Sequence, residues 1–314
     1  MENTTEATQF ILLGLTKATN LRMPLVMIFT LIYAVNVIGN LGMILLILLD
    51  SRLHTPMYFF LSNLSLMDFC YSTAVTPTVI AGLFICDKVI SYNACATQMF
   101  FFATFASGEI FILAAMAYDR YAAVCKPLHY TTIMTTGVCA GLAIVCYAGG
   151  FLNACIHVGE TFSLTFRSSN KVHHFFCDVP AVMSVSCSDK QLAEMVLVYV
   201  DAFVVLSALS VIFVSYVFIF ITIYRMRSSA GYQKALSTCA SHVTAITIFF
   251  GTIIFMYLQP SSSHSMDTDK MASVFYTMVI PMLNPIVYSL RNKEVKNAIK
   301  KLGEKIKLSL GLRF

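Results

Sequence analysis

The sequence is poor in charge. Only 12% of its 314 residues are Asp, Glu, Lys or Arg, against about 25% in an ordinary soluble domain. Hydrophobic residues make up 58% of the chain, although tryptophan is absent. A soluble core of this length cannot bury so much apolar surface, so the composition excludes a disordered chain, a coiled coil and a secreted disulfide scaffold, and it argues against a cytosolic enzyme. A helical membrane protein is the class that remains.

Motifs of catalysis are missing as well. The sequence contains no HExxH, GxSxG or P-loop motif, and the spacing of its histidines, most of them in predicted loops, is not typical of a metal site. It also shows no domain boundary and no similarity between its halves of the kind that transporters often have. We therefore expect a single domain with no enzyme activity, no metal centre and no nucleic-acid partner. A membrane transporter is the less favoured alternative.

Seven apolar stretches are long enough to span a membrane. A bilayer core of about 30 Å requires about 20 apolar residues in a helix. The stretches that meet this length are Leu25–Leu49, Met57–Phe84, Ala96–Tyr118, Val138–Val158, Met195–Tyr224, Ala235–Leu258 and Met271–Leu290. The fold class that they predict is an all-α membrane protein, a seven-transmembrane helix bundle.

The distribution of basic residues gives the orientation of the bundle. Most of the 21 Lys and Arg residues fall on the cytoplasmic side if the N-terminus is extracellular. The glycosylation sequon at Asn3 fits the same orientation. We expect a multi-pass protein of the plasma membrane with an extracellular N-terminus (1–23), a helix bundle (24–290) and a cytoplasmic tail (291–314).

Three acidic residues, Asp68, Glu109 and Asp201, lie inside the predicted spans. A carboxylate is costly at this depth and usually faces the bundle interior with a partner. An interhelical hydrogen bond explains each of them. Asp68 and Glu109 also have an alternative role, because together with Asn40 and Asn284 they offer the oxygen ligands of a hard cation such as Na⁺.

Two further features have more than one explanation on these grounds. Arg120 follows Asp119 at the cytoplasmic end of the third span, which fits either an electrostatic switch or ordinary snorkelling of an arginine to the interface. Cys95, Cys177 and Cys187 fall on the extracellular side, where disulfides persist, and the odd number leaves their pairing open.

Several motifs resemble those of vertebrate olfactory receptors, within the rhodopsin-like (class A) G-protein-coupled receptors. MAYDRYAAVC at 116–125 is similar to the signature MAYDRYVAIC of that family. Further similar segments are LHTPMYFFLS at 53–62, KALSTCASH at 234–242 and PMLNPIVYSLRN at 281–292. Gly39-Asn40 and Phe175-Phe176-Cys177-Asp178 fit the same order. Six motifs in family order make the resemblance specific.

The resemblance implies a function and a set of site residues. It implies a receptor that binds a small volatile odorant and activates a stimulatory heterotrimeric G protein, which raises cyclic AMP. It implies a disulfide between Cys95 and Cys177. It also implies a polar site of Asn40, Asp68, Glu109 and Asn284, and a G-protein switch of Asp119, Arg120, Tyr121, Tyr216 and Tyr288.

The tail after Arg291 is expected to form a short amphipathic eighth helix, whose lysines suit anionic membrane lipids. The ligand pocket is expected in the outer half of the bundle. The residues that the resemblance implies for this pocket are Met99, Phe102, Ala103, Ala106, Ser107, Val200, Asp201, Val204, Ile253, Tyr257, Val274 and Thr277. Asp201 would favour amines or hydroxyl-bearing ligands over carboxylic acids, unless it bonds a neighbouring side chain and never meets the ligand.

The sequence also bears on two other functions that seven-helix proteins have. A light-driven retinal protein needs a lysine within the last span for its Schiff base, and Met271–Leu290 contains none. A receptor of the same fold with a non-olfactory small-molecule ligand stays an alternative.

Overall fold

The computed structural model describes residues 8–16, 18–85, 88–166, 170–226, 229–257 and 266–309. Asn3 lies outside these ranges, so its glycosylation stays a prediction. The side chains of Ile253 and Tyr257 are also outside the described part, although both residues belong to a helix.

Helices dominate the described chain. In chain order they are α1 (Thr19–Leu49), α2 (Pro56–Phe84), α3 (Tyr92–Cys125), α4 (Tyr130–Ile133), α5 (Thr136–Ser163), α6 (Val179–Met183), α7 (Gln191–Tyr224), α8 (Ser229–Tyr257), α9 (Met266–Val274), α10 (Ile280–Arg291) and α11 (Lys293–Ser309). Three short strands are β1 (Gln9–Leu12), β2 (Lys88–Ser91) and β3 (Lys171–Val172).

Seven segments of this series cross the bundle. Helices α1, α2, α3, α5 and α7 are each long and apolar enough to span a membrane, and so is the segment Lys270–Ser289 of α9 and α10. Helix α8 supplies the remaining crossing, with a shorter apolar stretch, Cys239–Thr252, in its described part. The seven-transmembrane fold is thus confirmed.

The helices extend beyond the apolar stretches that predicted them. Helix α1 begins at Thr19 rather than near residue 25, and α3 runs to Cys125 rather than Tyr118. Backbone hydrogen bonds within a helix do not depend on apolar side chains, so a helix continues past the lipid boundary. As a consequence, the motif Asp119-Arg120-Tyr121 lies within α3.

Helix α3 lies at the centre of the bundle. In its most apolar window 67% of the residues are buried, against 28% in the windows of α1 and α7. Its closest approach is to α5, where Gly150 faces the α3 backbone. A Cβ at Gly150 would overlap the carbonyl oxygen of Thr104 and lie 3.0 Å from the amide nitrogen of Gly108. The absence of a side chain at Gly150 is therefore what allows these two helices to touch.

The seventh crossing is irregular just before its first proline, Pro281. A π-helical turn, Phe275–Val279, joins α9 to α10, and the amide of Ile280 donates to the carbonyl of Phe275. Pro281 follows immediately and has no amide hydrogen to donate. Asn284 lies one turn further on, between Pro281 and Pro285, as the sequence places it.

The extracellular side carries a small three-stranded sheet that was not predicted from the sequence. Strand β1 pairs antiparallel with β2, with Gln9 opposite Ser91, and parallel with β3, with Leu12 opposite Val172. Phe10 of β1 is fully buried among the rings of Tyr92, Phe162 and Phe166. The N-terminal segment is thereby fixed to the first and second extracellular loops.

Helix α11 follows α10 after a single residue, Asn292. Val295 and Ala298 are buried, whereas Lys296, Lys300 and Lys301 are exposed. Buried residues three apart, together with exposed lysines, make this helix amphipathic, so the predicted eighth helix is confirmed.

Candidate functional site

Three of the four residues of the predicted polar site meet at the centre of the bundle. The side-chain amide of Asn284 donates to Asp68 Oδ2 at 3.0 Å and to Glu109 Oε1 at 3.1 Å. All three side chains are buried. Asn40 instead donates to the carbonyl oxygens of Asn36 and Pro281, each at 3.1 Å. It thereby joins α1 to the proline-containing part of α10.

The oxygen atoms of this polar site fit a cation. Two buried carboxyl groups share one amide donor, and Asp68 Oδ1 has no hydrogen-bond partner among the described residues. Two neighbouring carboxylates repel each other, and a cation between them would offset this repulsion. Carboxylate and amide oxygens are the ligands that hard cations prefer.

At the cytoplasmic end of α3, Arg120 is held by the residue before it. Its Nε donates to Asp119 Oδ2 at 3.0 Å, and its Nη2 also contacts that oxygen. The second oxygen of Asp119 accepts a hydrogen bond from the Tyr130 hydroxyl at 2.7 Å, which ties α4 to α3. Arg120 is therefore paired with Asp119 and does not extend into the cytoplasm.

The other predicted switch residues surround this pair. Tyr216 of α7 is hydrogen bonded to His242 Nδ1 of α8 at 2.8 Å. Tyr288 of α10 is fully buried, and its hydroxyl has no partner among the described residues. The Tyr121 ring packs against Phe218 of α7 with a centroid distance of 5.8 Å. His242 was not among the predicted switch residues, although it ends the KALSTCASH motif.

The disulfide between Cys95 and Cys177 is present and joins α3 to the second extracellular loop, with Cα atoms 5.5 Å apart. The amide of Cys177 also donates to Gln98 Oε1 at 2.9 Å, which reinforces the same junction. Cys187 carries a free, exposed thiol.

The predicted pocket residues fall into different environments. Met99, Ala103, Ser107, Val204, Val274 and Thr277 are buried, whereas Phe102, Ala106, Val200 and Asp201 are half-buried. Met99 packs in one apolar cluster with Phe10, Cys95 and Cys177. Phe102 and Val274 pack in another, against Phe175 and Phe176 of the second loop. The predicted set therefore spans two clusters beneath the loop.

Two of the pocket hydroxyls already have partners within the protein. Thr277 donates to the carbonyl of Ser273 at 2.6 Å, and Ser107 accepts from the Asn153 amide at 2.7 Å. Asp201 has a partner too, because His157 Nε2 of α5 lies 2.8 Å from its Oδ1. A bond to a neighbouring helix was the alternative that the sequence left open for Asp201.

Asn153 and His157 are functional candidates that sequence reasoning missed. They lie four residues apart on α5, so they share one face of the helix. Two buried polar residues at this spacing in an apolar helix are the signal that would have indicated an inward-facing polar stripe.

The second extracellular loop is tied to the seventh crossing by polar contacts. The Tyr276 hydroxyl donates to Asp178 Oδ2 at 3.5 Å, and His174 Nε2 lies 3.1 Å from the Ser273 hydroxyl. Burial raises the pKa of the Asp178 carboxyl to about 6, although its hydrogen bonds from Val179 and Tyr276 oppose the shift. This loop covers the extracellular end of the bundle above Phe102.

Comparison with solved structures gives the fold. The crystal structure of squid rhodopsin aligns with a TM-score of 0.71, covering 92% of this chain and 87% of that chain at 16% sequence identity. The fold is thus the seven-helix fold of rhodopsin.

Sequence comparison then gives the family. A profile described as olfactory receptor matches residues 29–305. Olfactory receptor 5B3 of Homo sapiens is 70% identical over 311 residues, covering 99% of both chains. Olfactory receptor 5B21 of Mus musculus is 61% identical, covering 96% of this chain and 95% of its own. The chain belongs to the olfactory receptor family: it is a multi-pass receptor of the plasma membrane for odorants, coupled to G proteins, and not an enzyme.

Proposed function

We propose that this receptor binds a small, largely apolar odorant in the outer half of the bundle and activates a stimulatory heterotrimeric G protein, which raises cyclic AMP. The observation that carries the proposal is that Arg120 is paired with Asp119 at the cytoplasmic end of the bundle. The predicted pocket in the outer half consists mostly of apolar residues. Burial of apolar ligand surface would supply affinity, and the few polar groups would set orientation.

The proposed mechanism is a shift between two populations of the receptor. In the closed state Asp119 holds Arg120 through a hydrogen bond of 3.0 Å, and Tyr130 in turn holds Asp119 through one of 2.7 Å. A ligand that binds the open state more tightly favours release of Arg120 towards the G protein. Tyr216 and Tyr288 then move towards the freed guanidinium, which requires the bond between Tyr216 and His242 to break.

A sodium ion at Asp68, Glu109 and Asn284 fits the same scheme as an inhibitor. The unpartnered oxygen of Asp68 and the two neighbouring carboxyl groups support a cation there. Bound sodium would hold α2, α3 and α10 together and so favour the closed state. Agonist potency in receptor-containing membranes should then fall when Na⁺ replaces a bulky organic cation at equal ionic strength.

Membrane lipids are the third proposed partner. Helix α11 presents Lys296, Lys300 and Lys301 on its exposed side and buries Val295 and Ala298. A basic amphipathic helix of this kind lies in the inner leaflet and attracts anionic headgroups.

The stimulatory G protein is tested by expressing the receptor in cells that lack its α subunit. A panel of volatile compounds should raise cyclic AMP only after that subunit is restored. In restored cells, Arg120→Ala should abolish the response at equal surface expression, because the guanidinium that meets the G protein is gone. A full response from Arg120→Ala, or from cells without the subunit, would contradict the proposal.

A further inference from the structure

A stripe of buried polar side chains runs along one face of α5. Asn153, His157 and Thr161 are spaced by four residues, and all three are buried. The same face packs on α3, because Gly150, one turn before Asn153, abuts Thr104. The stripe therefore faces the interior of the bundle and not the lipid.

The stripe is joined to two other helices by short hydrogen bonds. The Asn153 amide donates to the Ser107 hydroxyl of α3 at 2.7 Å. His157 Nε2 lies 2.8 Å from Asp201 Oδ1 of α7. Ser107 and Asp201 were both predicted to line the pocket, so the stripe extends that pocket towards α5.

The members of the His157–Asp201 pair differ in accessibility. The Asp201 side chain is 45% exposed, whereas the His157 side chain is 4% exposed. Asp201 shares its helix face with the buried residues Val204 and Ala208, three and seven positions further along α7. The imidazole is thus the buried member that fixes the carboxylate, and the carboxylate is the member that keeps an accessible surface.

Two polar atoms of the stripe are left without partners among the described residues. They are Asn153 Oδ1 and Thr161 Oγ1, one turn to either side of His157, and both are buried. A buried polar atom without a hydrogen bond costs free energy, which a suitable ligand recovers when it supplies the missing bond. With the accessible carboxylate of Asp201, the site offers more acceptors than donors.

Resting on the proposed function, we propose that Ser107, Asn153, His157, Thr161 and Asp201 form a polar subsite that selects ligands bearing a hydrogen-bond donor. The donor group binds the Asp201 carboxylate, and His157 is a positioning residue that orients this carboxylate. A primary ammonium gains most, since it is charged and has three N–H donors, and a hydroxyl group gains less. A ketone offers no donor, and a carboxylate is repelled.

The test separates ligand binding from signalling. Purified receptor in nanodiscs is heated with sets of compounds that share one carbon skeleton and carry an amine, a hydroxyl, a methyl ketone or a carboxylate. Ligand-induced stabilisation is measured without any G protein, so a failure of the proposed coupling does not affect it. We expect stabilisation to fall in the order amine, hydroxyl, ketone and carboxylate.

Variants assign the selectivity to the subsite. Asp201→Asn should weaken amine binding at least tenfold more than ketone binding. His157→Ala should have the same effect on a smaller scale, and His157→Asn should restore part of the preference, because an amide can donate to Asp201. Glu194→Gln is the matched control, since it removes an exposed carboxylate two turns earlier on α7 and should leave the order unchanged.

Two results would overturn the proposal. One is a wild-type receptor that the amines and alcohols stabilise no more than the ketone or the carboxylate. The other is an equal loss for all compounds in Asp201→Asn at unchanged folding, which would assign Asp201 a structural role.

Discussion

The cytoplasmic and extracellular ends of this receptor are held together by different kinds of residues. At the cytoplasmic end, hydrogen bonds connect one recognisable motif to another. Tyr58 of LHTPMYFFLS donates to Asn292 of PMLNPIVYSLRN at 3.1 Å, and Arg120 is paired with its motif neighbour Asp119. At the extracellular end, most contacts involve residues outside such motifs, including the pair of His157 with Asp201.

This difference has a functional meaning. The cytoplasmic contacts join the helices whose relative movement would release Arg120, so they belong to the proposed switch. The extracellular contacts fix the loops and the N-terminal strand around the predicted pocket, so they belong to the proposed ligand site. The two ends share one support, the close contact of α3 with α5 at Gly150.

The largest expected effect is on that shared support. Gly150→Ala places a Cβ against the Thr104 carbonyl and the Gly108 backbone, which cannot rotate away as a side chain would. Overpacking typically costs about 1–3 kcal/mol, and a backbone clash places this variant at or above the upper end. Surface expression and the melting temperature should both drop sharply.

Gly159→Ala is the matched control on the same helix, because its added Cβ meets no atom within 4 Å. Alanine has a better helix propensity than glycine by about 1 kcal/mol, so this variant should be as stable as the wild type or more stable. If Gly150→Ala matched Gly159→Ala in expression and melting temperature, the α3–α5 contact would not be the common support.

The next effect isolates the extracellular end. Phe10→Ala removes a fully buried ring from the cluster with Tyr92, Phe162 and Phe166. Replacing a buried phenylalanine by alanine costs about 3–5 kcal/mol. Because β1 can detach from the bundle locally, only part of this cost lowers the stability of the whole receptor. We expect faster proteolysis of the N-terminal segment and a lower melting temperature, with ligand-independent cyclic AMP unchanged.

Val89→Ala on the neighbouring strand β2 serves as the control for Phe10→Ala, since Val89 is exposed. A rise in ligand-independent signalling in Phe10→Ala alone would break the comparison, because it would couple the extracellular sheet directly to the switch.

A third effect isolates the cytoplasmic end. Asp119→Asn weakens the charge-assisted bond to Arg120, a type of bond worth about 1.5–3 kcal/mol. Ligand-independent cyclic AMP should therefore rise several-fold. Tyr130→Phe removes only the 2.7 Å hydrogen bond to Asp119 and should give a smaller rise in the same direction.

Asp50→Asn is the control for this end, because Asp50 pairs at 2.6 Å with Arg52, whose side chain is 55% exposed, and does not contact Arg120. Exposed ion pairs contribute about 0–1 kcal/mol, so basal signalling should not change. Equal basal activity in Asp119→Asn and Asp50→Asn would show that the pairing of Arg120 does not restrain the receptor.

The sequence predicted the cytoplasmic end better than the extracellular end for physical reasons. The seven spans follow from hydropathy alone, since a bilayer requires about 20 apolar residues per helix. The contacts of Arg120 and Asn284 came from motifs whose residue order is recognisable. The pairing of β1 with β2 and β3 joins segments far apart in the chain, and a four-residue apolar run does not specify such partners. The contact of His157 with Asp201 depends on how α5 and α7 are rotated about their own axes, and this rotation cannot be predicted from a single sequence.

The smallest expected effect concerns the loop over the pocket and its pH dependence. Burial raises the pKa of Asp178 from 3.8 to about 6, so between these values the folded receptor holds a proton that the unfolded chain releases. The contribution of Asp178 to stability is therefore present at acidic pH and is lost as the pH rises through about 6. The melting temperature of Asp178→Asn, measured relative to wild type, should rise over this interval, because asparagine has no charge to bury. Asp189→Asn, which removes an exposed carboxylate of the same loop, is the control. A difference between Asp178→Asn and wild type that stays constant from pH 4 to pH 7 would mean that the loop is not closed over this carboxyl group, and the extracellular end would then be more open than its contacts with Tyr276 and Val179 indicate.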